Sequence, residues 1–308
     1  MKTPYLFLSL LAASTPAFVS GQVNKTVSVL EIYDTETGKR TVLKEYPYLI
    51  EAPNWTVDGQ YLIYNSKGKL YKVAIDDAAS DVEIPTGFAN RCNNDHVLSV
   101  DGKEIAISHG TKEDGQSRIY TLPITGGAPT LVTPMGPSYL HGWSPDGKTL
   151  AYCADRKGNY DVYIIPARGG EEVRLTDAPG LDDGPEYSPC GNYIWFNSVR
   201  TGLMQVWRMR ADGAEQTQMT FDKDRNSWFP HISPDGEQVV FICYKKGDVA
   251  PGDHPFGKDV ELRVMPAKGG KPQTVVSLFG GQGTINVNSW SPDSKRFAFV
   301  SYIRAKAE

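Results

Sequence analysis

An all-β, six-bladed β-propeller of four-stranded blades is what this sequence predicts, on three observations. The turn Ser144-Pro145-Asp146-Gly147 returns as Ser188-Pro189-Cys190-Gly191, Ser233-Pro234-Asp235-Gly236 and Ser291-Pro292-Asp293-Ser294, after two eroded copies, Thr56-Val57-Asp58-Gly59 and Ser99-Val100-Asp101-Gly102. The copies recur at steps of about 44 residues, with one longer step before the last, and a period in the mid-forties marks a four-stranded blade. Between the turns, apolar residues alternate with others, as in strands that bury their faces against neighbouring blades.

Residues 1 to 21 stand apart from the repeats. Lys2 is their only charge, an apolar run extends from Tyr5 to Ala13, and small residues Ser20 and Gly21 precede Gln22. That pattern is expected of a cleaved secretory signal, because the run is too short to span a bilayer. Residues 22–308 then form the propeller, periplasmic or secreted. No later stretch is apolar enough for a transmembrane segment, and the expected state is a monomer.

After the leader, Thr26 to Asp34 and Arg40 to Lys44 read as strands C and D of an incomplete blade. The third repeat is the clearest full copy: His141 to Ser144, Lys148 to Cys153, Tyr160 to Pro166 and Glu172 to Thr176 read as strands A to D. Pro145 presets φ for the A–B turn, Asp146 bonds its own backbone two residues on, and Gly147 accepts positive φ. Glycine also marks the C–D reversals, at Gly126-Gly127, Gly169-Gly170, Gly213 and Gly269-Gly270. The fifth repeat inserts Lys245 to Lys258, which holds His254 and suits a lid or a mobile loop. The last repeat stops after strands A and B, Trp290 to Ser294 and Arg296 to Tyr302. Joined to the N-terminal strands it completes the sixth blade and removes the exposed sheet edges.

A net charge of −4 without a basic block argues against nucleic acid as a partner. Cys92, Cys153, Cys190 and Cys243 fall in four different repeats. Equivalent positions in separate blades lie too far apart for disulfides, so free thiols are expected.

The run Trp143 to Lys148 and the downstream Asp161-Val162-Tyr163 resemble the TolB-type propeller repeat. The likeness implies an extracytoplasmic propeller that binds something, here without the α/β domain that precedes the propeller in TolB. The blades are also similar to those of prolyl oligopeptidases and dipeptidyl peptidases. Gly142-Trp143-Ser144-Pro145-Asp146 lacks the last glycine of a nucleophile elbow, however, and lies on a β-turn.

In a four-stranded meander the A–B and C–D turns share one face, so the B–C loops and D-to-A connections share the other. Aligned on the turn, His96 and His141 occupy one position of the innermost strand, with Asn288 equivalent, while Asn54, Glu186 and His231 occupy the next. Two residues before the first set lie Glu51, Asp183 and Trp228. Two function classes follow.

The first is a binding module that takes a protein, peptide or carbohydrate ligand at this face. Glu51, Asn54, Arg156, Arg200, Trp228 and Asn288 are its candidate contacts, the arginines for a carboxylate and Trp228 for a sugar ring. The second is a carbohydrate-active enzyme, either a metal-assisted uronate lyase or a glycoside hydrolase, with Glu186, His141, His231 and Asp183 as catalytic groups. His96, His141 and His231 are its candidate ligands for zinc or manganese.

Overall fold

The computed structural model describes residues 26–79 and 81–304, so the leader at 1–21 lies outside the described residues. β1 (Val27–Asp34) and β2 (Arg40–Tyr46) open it. Blade one is β3 (Glu51–Trp55), β4 (Tyr61–Ser66), β5 (Lys69–Ala74) and β6 (Asp81–Ile84). Blade two is β7 (Cys92–Leu98), β8 (Glu104–Gly110), β9 (Ser117–Pro123) and β10 (Thr130–Leu131). Blade three is β11 (Ser138–Trp143), β12 (Thr149–Asp155), β13 (Tyr160–Pro166) and β14 (Val173–Arg174). Blade four is β15 (Asp182–Tyr187), β16 (Tyr193–Ser198), β17 (Gln205–Arg210) and β18 (Thr217–Gln218). Blade five is β19 (Arg225–Ile232), β20 (Gln238–Lys245), β21 (Lys258–Pro266) and β22 (Gln273–Gly280), and β23 (Arg296–Ile303) closes the series.

Each blade is an antiparallel meander in chain order, and β23 pairs β1, which pairs β2, so the two ends of the chain share the sixth blade. Its innermost strand is shorter than the sequence suggests, reduced to a bridge between Trp290 and Phe297. The outer strand of blade three is also shorter than Glu172 to Thr176. The reason is chemical: Val162 N donates to Thr176 Oγ1 at 2.9 Å, so a side chain replaces the next rung of the ladder. Thr133 and Thr220 take Ile119 N and Val206 N in the same way, and the outer strands of blades two to four all stop at two residues. Short outer strands leave little unpaired edge.

The A–B turns are built as their residues require. Ser144 Oγ donates to Asp146 Oδ1 at 2.7 Å and accepts Thr149 N at 2.9 Å, while Asp146 Oδ1 takes Lys148 N at 3.1 Å. The same three bonds recur at Ser99/Asp101, Ser233/Asp235, Ser291/Asp293 and Thr56/Asp58. Above them, buried side chains fill the spaces between blades, as where Trp195, Val206 and Met219 meet Ile232, Phe241 and Met265. The four cysteines are free thiols, three buried and Cys190 exposed. Among the described residues no helix is long and apolar enough to cross a membrane.

Candidate functional site

All five complete innermost strands break register at the same height. The irregularities fall between Glu51 and Asn54, Cys92 and His96, Leu140 and Gly142, Asp183 and Glu186, and Trp228 and His231. In three of them a residue of positive φ precedes a proline: Ala52 at 54°, Gly184 at 63° and Phe229 at 53°. Proline has no N–H to give the ladder, so the skip falls there. For a buried phenylalanine that conformation is strained by about 1–3 kcal/mol, and Phe229 N is held by Asn197 Oδ1 at 3.0 Å. The bulges turn polar side chains toward the axis in two tiers.

The deeper tier is dense in hydrogen bonds, though Asn54 Oδ1 has no partner. Glu186 Oε2 meets His231 Nδ1 at 2.7 Å, and its Oε1 accepts Ile232 N at 2.9 Å and Asn288 Nδ2 at 2.6 Å. His231 Nε2 faces the Ile285 carbonyl at 2.9 Å. Asn288 also donates to Ile232 O, and Asn54 Nδ2 reaches the Asn288 carbonyl at 2.5 Å. Blades one, four, five and six are thereby tied together.

The upper tier, at the mouth, is charged and less satisfied. His141 Nε2 lies 3.1 Å from Asp183 Oδ1, with its ring stacked on Phe229 at 5.6 Å. Burial alone would lower the His141 pKa, but Asp183 and Asp95 outweigh it and the net shift is upward. Burial, with Asp95 nearby, pushes the Glu51 carboxyl up to about 7. Burial likewise raises Asp95 to about 6, with Asp183 adding to the effect and His141 opposing it. Burial would raise Asp183 too, yet His141 holds it below its ordinary value. Among the described residues no lysine or arginine ion-pairs with Glu51, Asp95 or Asp183.

Two segments of blade five roof this tier. The 245–258 insertion sets His254 against Trp228 and Phe229, ring centroids 4.4 and 5.1 Å away, and His254 Nδ1 meets Gln282 Oε1. Gln282 Nε2 reaches Asn94 Oδ1 at 3.2 Å, and a Cβ on Gly283 (φ 91°) would fall 2.8 Å from Glu51 Cγ. Glu51, Tyr139, His254 and Gln282 keep partial exposure at the opening.

Several expected contacts lie elsewhere. Arg156 is held by Glu172, Ser138 Oγ and the Pro137 carbonyl, and Arg200 by Asp182, Ser198 Oγ and Gln216. Both guanidinium groups are occupied within their own blades rather than presented at the mouth. Trp228 is fully buried in the core of blades five and six, so no sugar ring reaches it.

His96 is also buried; desolvation lowers its pKa to about 4, and neither ring nitrogen has a hydrogen-bond partner. The imidazoles of His96, His141 and His231 do not form a zinc or manganese donor set, since both His231 nitrogens are engaged. Among the described residues no group of three or more His, Cys, Asp or Glu side chains could hold a metal ion. Asp95 is the mouth residue that alignment on the turn misses. Its signal was the run Asn93-Asn94-Asp95-His96, four polar residues in a buried strand.

Comparison with known proteins gives a consistent picture. A family model described as the TolB beta propeller domain matches residues 140–259. An uncharacterized protein of Agrobacterium fabrum is 48% identical over 275 residues, 89% of this chain and 92% of its own. A solved structure of a TolB-type protein from Agrobacterium tumefaciens superposes with a TM-score of 0.87 at 48% identity, covering 91% of this chain and 99% of that one. The Tol-Pal system protein TolB of Francisella tularensis is 28% identical over 210 residues. This chain spans about half the length of that relative, 48%.

Proposed function

Because this chain belongs to the TolB β-propeller family, we propose that it is an exported binding module whose axial mouth takes a segment of a polypeptide partner. The observation that carries this reading is the contrast within the axis. A deep tier dense in hydrogen bonds supports an upper tier of Glu51, Asp95, His141 and Asp183 in which, beyond the His141–Asp183 pair, the carboxylates have no lysine or arginine partner among the described residues. Convergent polar groups on a rigid scaffold, at an opening roofed by loops, are the usual form of a ligand site. A polypeptide is favoured over a carbohydrate because Trp228 is enclosed and both arginines are occupied. The name of the Francisella relative, a Tol-Pal system protein, supports the same choice.

The test is retention of partners from a native envelope extract by the immobilised mature chain, compared with two variants. Glu51→Gln combined with Asp183→Asn is expected to lose the retained protein, and Arg156→Ala to keep it. Equal retention by all three would place the contact elsewhere and overturn the proposal.

A further inference from the structure

The outer edge of blade five is unlike that of every other blade. In blades two to four a threonine side chain ends the ladder and the outer strand stops at two residues. Blade five has no such stop: β22 runs for eight residues, and beyond the irregularity near Val275 it makes five consecutive pairs, from Val276↔Leu262 to Gly280↔Lys258. Val276 and Leu278 are buried in the core between blades five and six, which fixes the strand in place. Its other side is the edge of the sheet. Among the described residues no backbone hydrogen bond from outside the blade reaches Gln273 to Phe279.

Proteins guard such an edge with charged side chains, proline or brevity. The other outer strands longer than two residues comply, β2 with Arg40, Lys44 and Glu45 and β6 with Asp81 and Glu83. β22, with the sequence Gln-Thr-Val-Val-Ser-Leu-Phe-Gly, carries no charge and no proline. A cavity of about 430 Å³ opens beside its upper half, where Cys243, Leu278 and Phe279 supply apolar lining. The charges around that cavity are already matched: Arg225 pairs with Glu261 at 3.1 Å, Arg304 pairs with Asp259, and Lys245 and Asp248 add one charge of each sign.

We infer that β22 is a strand-addition site, where an extended, uncharged segment of a polypeptide partner pairs as a fifth strand of blade five and sets an apolar side chain in the adjoining cavity. Main-chain bonds along a fixed edge supply affinity in this mode, and a pocket for alternate side chains supplies selectivity. A neutral cavity beside a neutral strand suits a neutral segment. A second copy of β22 fits less well, because its Val276 and Leu278 are used in its own core, whereas a free segment has a whole side chain to place. The site lies on the outer rim of blade five and is independent of the axial mouth.

The probe is the fluorescein-labelled hexapeptide Thr-Ile-Ser-Val-Thr-Leu, and its control is the same peptide with all backbone amides N-methylated, which keeps the side chains and removes the ladder donors. The unsubstituted propeller is expected to raise the polarisation of the probe, and at about 1 mM protein to leave the control unchanged. Amide hydrogen exchange should show added protection confined to residues 273–280. Ser277→Lys charges the edge at an exposed position and is expected to weaken binding at least about tenfold. Thr274→Lys gives a second exposed variant with the same expected direction, and melting temperatures check that both stay folded. Equal binding of probe and control, or binding of neither, overturns the inference. So does protection elsewhere, or binding unchanged in both lysine variants. A dimer in light scattering that Ser277→Lys dissociates would give the edge to a second copy and overturn the choice of partner. Glu51→Gln with Asp183→Asn is expected to leave probe binding intact, so the edge and the mouth fail separately.

Discussion

The turn face and the mouth face of this propeller are made by the same strands, yet they obey different rules. On the turn face five copies of one aspartate-centred turn repeat the same three hydrogen bonds, so each polar side chain is answered by the local backbone. At the mouth no two blades contribute alike: Glu51, Asp95, His141, Asp183 and Phe229 come from bulges, and some of their polar neighbours have no partner. Repetition serves closure of the ring, and divergence at one height of the same strands builds the mouth to which the proposed function assigns recognition. Below the mouth, the Glu186–His231 tier separates the two.

The largest effect should come from that separating tier. Glu186→Ala leaves His231 Nδ1, Ile232 N and Asn288 Nδ2 without their shared acceptor. A loss of about 3–5 kcal/mol is expected in urea unfolding. A loss near that of an exposed substitution would show that the tier does not brace the axis.

Next is a pH effect confined to the mouth. The folded Glu51 carboxyl keeps its proton up to about 7, whereas its ordinary value is 4.5. Between these values the folded state binds more protons than the unfolded one, so this group's contribution to stability falls as pH rises. Glu51→Gln is expected to gain about 2–3 kcal/mol on wild type between acid and neutral pH. The difference between the two proteins is the readout, because burial of His96 and His254, which lowers their values, acts in the opposite direction. Parallel pH profiles would contradict the burial of Glu51.

Arg156→Ala sharpens the contrast from outside the axis. It removes the bonds to Glu172, Ser138 and Pro137 and is expected to cost about 1.5 kcal/mol in urea unfolding, with partner retention unchanged. The smallest effect belongs to the turn face. Cys190 stands where five turns have aspartate, and Ser188 Oγ meets its sulfur at 3.3 Å instead of a carboxylate oxygen. Cys190→Asp restores the repeated bonds and should stabilise by about 0.5–1 kcal/mol in calorimetry.

The turn face was legible in the sequence because its chemistry is local. Ser, Pro, Asp and Gly at fixed offsets specify a turn wherever they occur, and their spacing carried the blade count and the closure through β1, β2 and β23. The height of the mouth was legible as well, since alignment on the turns located Glu51, His141 and Asp183. What it did not convey was direction. A bulge shifts side chains between faces within one residue, which turned Asp95 inward and set Trp228 in the core. Nor does the repeat reveal which long side chains are taken up inside a blade, and such contacts bind Arg200 to Asp182 in blade four and Arg156 to Glu172 in blade three. The shortened outer strands had a signal that periodicity overlooks, the threonines Thr133, Thr176 and Thr220 at matching positions.

Site-directed photocrosslinking most directly tests whether the mouth is the working face. A benzoylphenylalanine is placed at Tyr139 of the mouth in one preparation and at Lys148 of a turn in another, each incubated with the protein that the unsubstituted propeller retains. Crosslinks from position 139, abolished by Glu51→Gln with Asp183→Asn, and none from position 148 are the predicted result. Crosslinks from position 148 that survive the mouth substitutions, with none from position 139, would contradict the account.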